Sequence, residues 1–167
     1  IFRKMFGGEN FFLGKYEHPN GGSLTFAPSI PGHVEHRQLS NNSLNVMAGC
    51  FLACTPGVNI KAKFGGMKAF FSGEGAFLLE ASGSGDLFFN SFGGIVKKEI
   101  NGEFIVDTGH VVAFDSSLNY SITGMGNFKS TMLSGEGLVM KFKGAGTLYL
   151  QTRNVSSVAS WLTPRLL

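Results

Sequence analysis

The fragment of this 167-residue chain with the strongest chemical character is Asp107-Thr108-Gly109-His110, followed by Asp115. An imidazole beside carboxylates can serve as a general acid, a general base or a metal ligand. His110 and Asp107 are therefore the catalytic candidates. A second acidic set recurs along the chain: Glu74 within Ser72-Gly73-Glu74-Gly75, Glu136 within Ser134-Gly135-Glu136-Gly137, and Glu9 after Gly8. Symmetric carboxylates could hold a cation. The simpler reading is a turn, with the carboxylate accepting backbone N–H bonds beside flexible glycines. Gly73, Glu74, Gly75, Gly135, Glu136, Gly137 and Gly109 are accordingly read as turn residues. Catalysis generally needs one asymmetric set of nucleophile, base and orienter, which copies of a single residue do not supply.

Other tracts carry less. In His33-Val34-Glu35-His36 a strand would point His33 and Glu35 one way and His36 the other, which spoils convergent metal ligation. Gly83-x-Gly85 leads into strand residues rather than into a helix whose N-terminus could face a phosphate. No metal or other cofactor is expected. Cys50 and Cys54, the only cysteines, would lie about 13 Å apart along a strand. That exceeds the roughly 7 Å limit of a disulfide, so free thiols in a reducing compartment are expected.

The elements that must position these residues are written more than once. Leu44 to Ala53 aligns without a gap on Phe104 to Ala113 at an offset of 60. At His110 the other copy has Cys50, and at Asp107 it has Met47, so the same backbone is built there without an ionisable group. Gly83-x-Gly85-x-Leu87 answers to Gly144-x-Gly146-x-Leu148 at an offset of 61. Repeats of this length signal a structural unit that cannot bury its apolar face alone. The expected organisation is a single β domain over residues 1–154, divided into a partial first repeat (1–42), a second (43–100) and a third (101–154). Residues 155–167 form a helical tail, with Ser156 as its cap and Pro164 as its stop. Val158, Trp161 and Leu162 would share one face and lid the β body or dock on a neighbouring subunit.

Strands are expected near 10–16, 22–27, 33–40, 43–47, 50–54, 58–64, 75–81, 86–91, 103–107, 110–114, 117–123, 137–143 and 146–152. Turns are expected at Pro19-Asn20-Gly21-Gly22, Pro31-Gly32, Pro56-Gly57, Ser82-Gly83-Ser84-Gly85, Gly93-Gly94, Asn101-Gly102 and Lys143-Gly144. Asn101-Gly102 has the composition of a type I′ hairpin. Phe70, Phe71, Phe77, Leu79, Phe88, Val111, Leu138 and Leu150 are the core or interface candidates. The fold class is all-β, an internally repeated β-sandwich or double-stranded β-helix with a short C-terminal helix.

Composition agrees. Glycine supplies 24 residues and phenylalanine 17, while charged residues make up only 15%, against roughly 25% in an average domain. Weakly charged, Phe-rich sheet faces suit contact with another subunit, so homo-oligomerisation is expected. The net charge is +3, with basic residues scattered rather than gathered into the stripe a nucleic-acid binder uses. Nucleic acid is thus not an expected partner. No apolar run reaches the length of a membrane helix, and Arg3-Lys4 followed by glycines is not a signal peptide. Ile1 and the half-missing first repeat suggest a trimmed N-terminus.

Ser72-Gly73-Glu74-Gly75, Val106-Asp107-x-Gly109-His110-Val111-Val112-Ala113, Gly135-Glu136-Gly137-Leu138-Val139 and Leu150-Gln151-Thr152-Arg153 together resemble the altered-inheritance-of-mitochondria (mitochondrial biogenesis) family and its bacterial branch. Thr25-Phe26-Ala27-Pro28, Pro31-Gly32 and Phe51-Leu52-Ala53 agree. Members usually begin with some fifty further residues. The resemblance implies a body similar to the tryptophan RNA-binding attenuation protein fold and a tendency to assemble. It also implies a link to the mitochondrial inner membrane and its cristae-organising machinery in fungi, and no accepted substrate, cofactor or catalytic residue in bacteria. Fold likeness does not transmit function. The expectation is a non-enzymatic, self-associating scaffold linked to a membrane complex. It would be cytoplasmic in a bacterium and at the mitochondrial inner membrane in a eukaryote. The alternative is a small-molecule- or RNA-binding module using a groove between repeats.

Overall fold

Alternation of apolar and polar residues builds long strands here, and glycine decides where they bend. The computed structural model describes residues 2–5, 12–64, 77–124 and 138–166. Two short strands, β1 (Phe2–Met5) and β2 (Phe12–Lys15), form an antiparallel pair. Then come β3 (Val34–Met47), β4 (Phe51–Cys54), β5 (Val58–Phe64) and β6 (Phe77–Asn90). They are followed by β7 (Ile95–Asp107), β8 (Val111–Asp115), β9 (Asn119–Gly124), β10 (Leu138–Gln151) and the helix α1 (Val155–Leu166). The fold is all-β apart from that helix. The same succession of elements, long strand, 3₁₀ turn, two short strands and long strand, occurs in β3–β6 and again in β7–β10. The two 3₁₀ turns, Ala48–Cys50 and Thr108–His110, are 60 residues apart.

Strands β3 to β10 form one eight-stranded antiparallel sheet with the path β4-β6-β3-β8-β10-β7; β5 also pairs with β6, and β9 with β10. In each quartet the closing strand is central. β6 pairs with β3 along its whole length on one side, and with β5 and then β4 on the other. β10 does the same with β7, β9 and β8. The quartets join where Leu44, Asn45 and Val46 of β3 pair with Asp115, Phe114 and Ala113 of β8.

Every second residue of β6 faces inward: Leu79, Ala81, Leu87 and Phe89 are fully buried, the period of two that a pleated strand dictates. β10 repeats this with Met140, Phe142 and Leu148. On its other face Lys141 and Lys143 both bind Glu103, and their ammonium groups, Lys141 foremost, hold that carboxyl below the usual range. Two apolar cores result. One is built mainly from β3, β5 and β6, with Val112, Ala113 and Tyr149 added from the second quartet; the other is built around Phe114, Met140, Phe142 and Leu148, with Leu78 added from the first.

Three expected turns lie inside strands. Ser82-Gly83-Ser84-Gly85 is the middle of β6, Asn101-Gly102 of β7 and Lys143-Gly144 of β10. Gly102 stands opposite Gly144, and Gly83 opposite Asn42, one residue past the left-handed Asn41 (φ 60°). Gly83, Gly102 and Gly144 have φ of 120°, 118° and 122°, a region that only glycine occupies at low cost. These positions crease the strands rather than reverse the chain. At the crease of β6 the Thr55–Gly57 corner closes in, with Gly57 O accepting from Ser84 N at 3.1 Å. A Cβ on Gly83 would lie 2.4 Å from that same oxygen.

Other differences are local. Residues 22–27 are not a strand, whereas turns do occur near Pro19-Asn20, with Gly21 N donating to His18 O, and at Pro56-Gly57 and Gly93-Gly94 between strands. The cap of α1 is Asn154, whose Oδ1 accepts from Ser156 N at 2.9 Å and Ser156 Oγ at 2.6 Å. Pro164 lies within the helix, in its last turn. No residue of α1 is buried, so it does not lid the β body. Leu79 and Val111 are core residues and Phe88 is half-buried. Phe70 and Phe71 and the side chains of Phe77 and Leu138 lie outside the described residues.

Candidate functional site

One group of charged side chains converges at the seam between the quartets. Arg37 is on the inward face of β3, in step with Glu35 and the buried Leu39. It crosses to β10 and β8, donating from Nη1 to Tyr149 Oη at 2.6 Å and from Nη2 to Asp115 Oδ1 at 3.3 Å. Asp115 Oδ2 accepts from the backbone N–H of Thr147 at 2.8 Å. Beside them Lys97 of β7 binds Glu35 at 2.5 Å and lies 5.6 Å from the Tyr149 ring centroid. His33 Nε2 lies 3.5 Å from the other Glu35 oxygen. The hydrogen bond to Glu35 raises the Lys97 pKa. An amine held protonated is not a nucleophile.

Further along the seam Ser43 Oγ donates to Ser116 Oγ at 2.8 Å, and Asn45 Nδ2 reaches the same oxygen at 3.4 Å. Asn45 is buried, and its Oδ1 has no hydrogen-bond partner among the described residues. On the outer face of β3, His36 Nε2 meets Asp86 at 2.8 Å while its ring stacks on Phe88.

The expected catalytic fragment is positioned differently. Asp107 caps the start of the 3₁₀ turn, its Oδ1 accepting from Gly109 N at 2.7 Å. His110 Nδ1 lies 2.8 Å from Gln151 O. A carbonyl can only accept, so this nitrogen carries a proton and donates it to Gln151 O. The Gln151 side chain completes the clasp, donating to Gly109 O at 2.7 Å and accepting from Phe92 N at 2.9 Å. Gly109 is required by proximity: a Cβ there would stand 2.1 Å from Asn154 Nδ2. Asp115 faces Arg37, so Asp107, His110 and Asp115 serve three separate structural bonds. Gly73, Glu74, Gly75, Gly135, Glu136 and Gly137 lie outside the described residues, as does Glu9.

Arg37, Tyr149, Lys97 and Gln151 escaped the reading of the sequence for chemistry, whereas Glu35 was read with His33 on one strand face, where the two do meet. Arg37 and Tyr149 are 112 residues apart, a separation that no local motif records. The cysteines are free; burial pushes the Cys50 thiol up to about 11 and raises that of Cys54. Among the described residues no group of three or more His, Cys, Asp or Glu could hold a metal ion. No described helix is long and apolar enough to cross a membrane.

An uncharacterized protein of Streptococcus pyogenes serotype M6 is 33% identical over 165 residues, covering 97% of this chain and 66% of its own length. The crystal structure of protein SPYM3_0169 from Streptococcus pyogenes superposes with a TM-score of 0.74 at 32% identity, over 84% of this chain and 63% of that one. The chain thus spans just under two thirds of each relative's length. Residues 1–153 match the family described as Mitochondrial biogenesis AIM24. Taken with the relatives, that match means the chain belongs to the AIM24 family.

Proposed function

We propose that this protein is a non-enzymatic, self-associating scaffold that works through the shape of its β body. The observation that carries the reading is how its ionisable side chains are used. Arg37, Asp115, Asp107 and His110 each bind backbone or a strand on the opposite side of the seam. Such bonds fix strands relative to one another and leave these groups committed to architecture. The exposed apolar residues Val96 and Ile105 on β7 offer contact surface, as expected of a protein that meets copies of itself. Under this proposal the body is of the tryptophan RNA-binding attenuation protein type, used for its form. Residence in a bacterial cytoplasm with attachment to a membrane complex belongs to the same proposal.

Sedimentation velocity of the purified chain over a wide concentration range tests it. Discrete species heavier than one chain are the expected result. A monomer throughout, combined with saturable binding of RNA or a metabolite, would overturn it in favour of a binding module.

A further inference from the structure

The dipeptide Asn-Gly occurs twice, as Asn20-Gly21 and Asn101-Gly102, and the fold gives the two copies opposite surroundings. Asn20 and Gly21 are exposed and end a tight turn in the connector between β2 and β3. Both backbone nitrogens bind only to His18: Gly21 N donates to its carbonyl at 3.2 Å and Asn20 N to its Nδ1 at 3.3 Å. A Cβ on Gly21 would meet nothing within 4 Å. Asn101 and Gly102 are exposed too, but they lie inside a ladder. Asn101 pairs with Ala145 and Gly102 with Gly144, within a register that runs without a shift from Ile95–Gln151 to Asp107–Val139.

The chemistry of this dipeptide needs no further residue. The backbone nitrogen of the glycine attacks Cγ of the asparagine side chain, the bond from Cγ to Nδ2 breaks, and ammonia leaves with the proton shed by the attacking nitrogen. A five-membered succinimide remains, and glycine hinders its closure least because it has no Cβ. Water then opens either ring carbonyl, giving aspartate or, with the main chain rerouted through the side-chain carbon, isoaspartate. Ring closure requires the asparagine backbone to rotate until the next nitrogen meets Cγ. At Asn20 that rotation opens two exposed hydrogen bonds to His18. At Asn101 it pulls a peptide out of the β7·β10 ladder, and such openings in core strands draw on much of a protein's stability.

We propose that Asn20-Gly21 is a self-modification site of this protein, with water as the sole co-reactant, and that the β7·β10 ladder suppresses the same reaction at Asn101-Gly102. The inference is independent of self-association. Its product lowers the net charge of +3 by one and places the new carboxylate in a connector that contains no strand. The eight-stranded sheet is therefore expected to keep its stability as the modification accumulates.

The test incubates the chain in mildly alkaline heavy-oxygen water, once folded and once in urea, followed by pepsin digestion in acid and mass spectrometry of the peptides that carry each pair. Isoaspartate is scored separately, by a protein isoaspartate methyltransferase with labelled S-adenosylmethionine. In the folded chain the Asn20 peptide is expected to take up heavy oxygen at least about tenfold faster than the Asn101 peptide. In urea the two rates are expected to converge. Asn20→Gln is expected to abolish the fast product and to leave circular dichroism and the thermal midpoint unchanged. Equal rates at the two pairs in the folded chain overturn the proposal, as does an Asn20 rate no higher than that of Asn59, which lies in the β5·β6 ladder. A difference that persists undiminished in urea overturns the role given to the fold.

Discussion

Replacing His110 by alanine removes the N–H that the Gln151 carbonyl accepts, leaving a part-buried acceptor unmatched. The expected cost is about 1 to 3 kcal/mol in urea unfolding, and Gln151→Ala, which strips two backbone groups of their partner, is expected to fall in the same range. Cys50 provides a pH signature. Burial holds its thiol at about 11, above its value in the unfolded chain. The unfolded state therefore loses its proton first, so this contribution is complete below about pH 9 and fades as pH rises toward 11. Two units correspond to about 2.7 kcal/mol; Cys50→Ala is expected to flatten that part of an alkaline stability profile. At this scale sequence reading found the reactive types but not their partners. Asp115 was legible as a carboxylate near His110, and only the fold turns it toward Arg37.

At the scale of elements the creases matter most. Gly83→Ala combines a φ of 120° with a Cβ 2.4 Å from Gly57 O, whereas Gly102→Ala meets the same backbone penalty with nothing within 4 Å. The second is expected to cost about 1 to 3 kcal/mol, and the first clearly more, as read from paired thermal melts. The contrast explains what the sequence could show. Apolar alternation placed strand segments at 58–64 and on both sides of the creases in β6 and β10, where strands are found, but in β7 only after Gly102, leaving the half from Ile95 to Asn101 unread. Asn101-Gly102 and Lys143-Gly144 looked like reversals because positive φ serves a hairpin and a bent strand equally. What decides between them is the partner opposite, and for Gly102 that is Gly144, forty-odd positions away. The tail was readable as a helix, but not its cap, since Asn154 and Ser156 are both capable and only their geometry distinguishes them.

For the whole molecule, α1 and the β body make different demands. Because no residue of Val155–Leu166 is buried, ending the chain after Asn154 is expected to change unfolding free energy by less than about 0.5 kcal/mol. Phe142→Ala, in contrast, empties a fully buried site and is expected to cost about 3 to 5 kcal/mol. Calorimetry of both variants beside the parent measures the difference.

Each half of the sheet lends side chains to the other's interior: Leu78 goes one way, and Val112, Ala113 and Tyr149 go the other. Neither half is therefore a separable foldon. Heating is expected to give one calorimetric peak whose van't Hoff and measured enthalpies agree, and a gene split between Asn90 and Ile95 is expected to yield fragments that become ordered only when co-expressed.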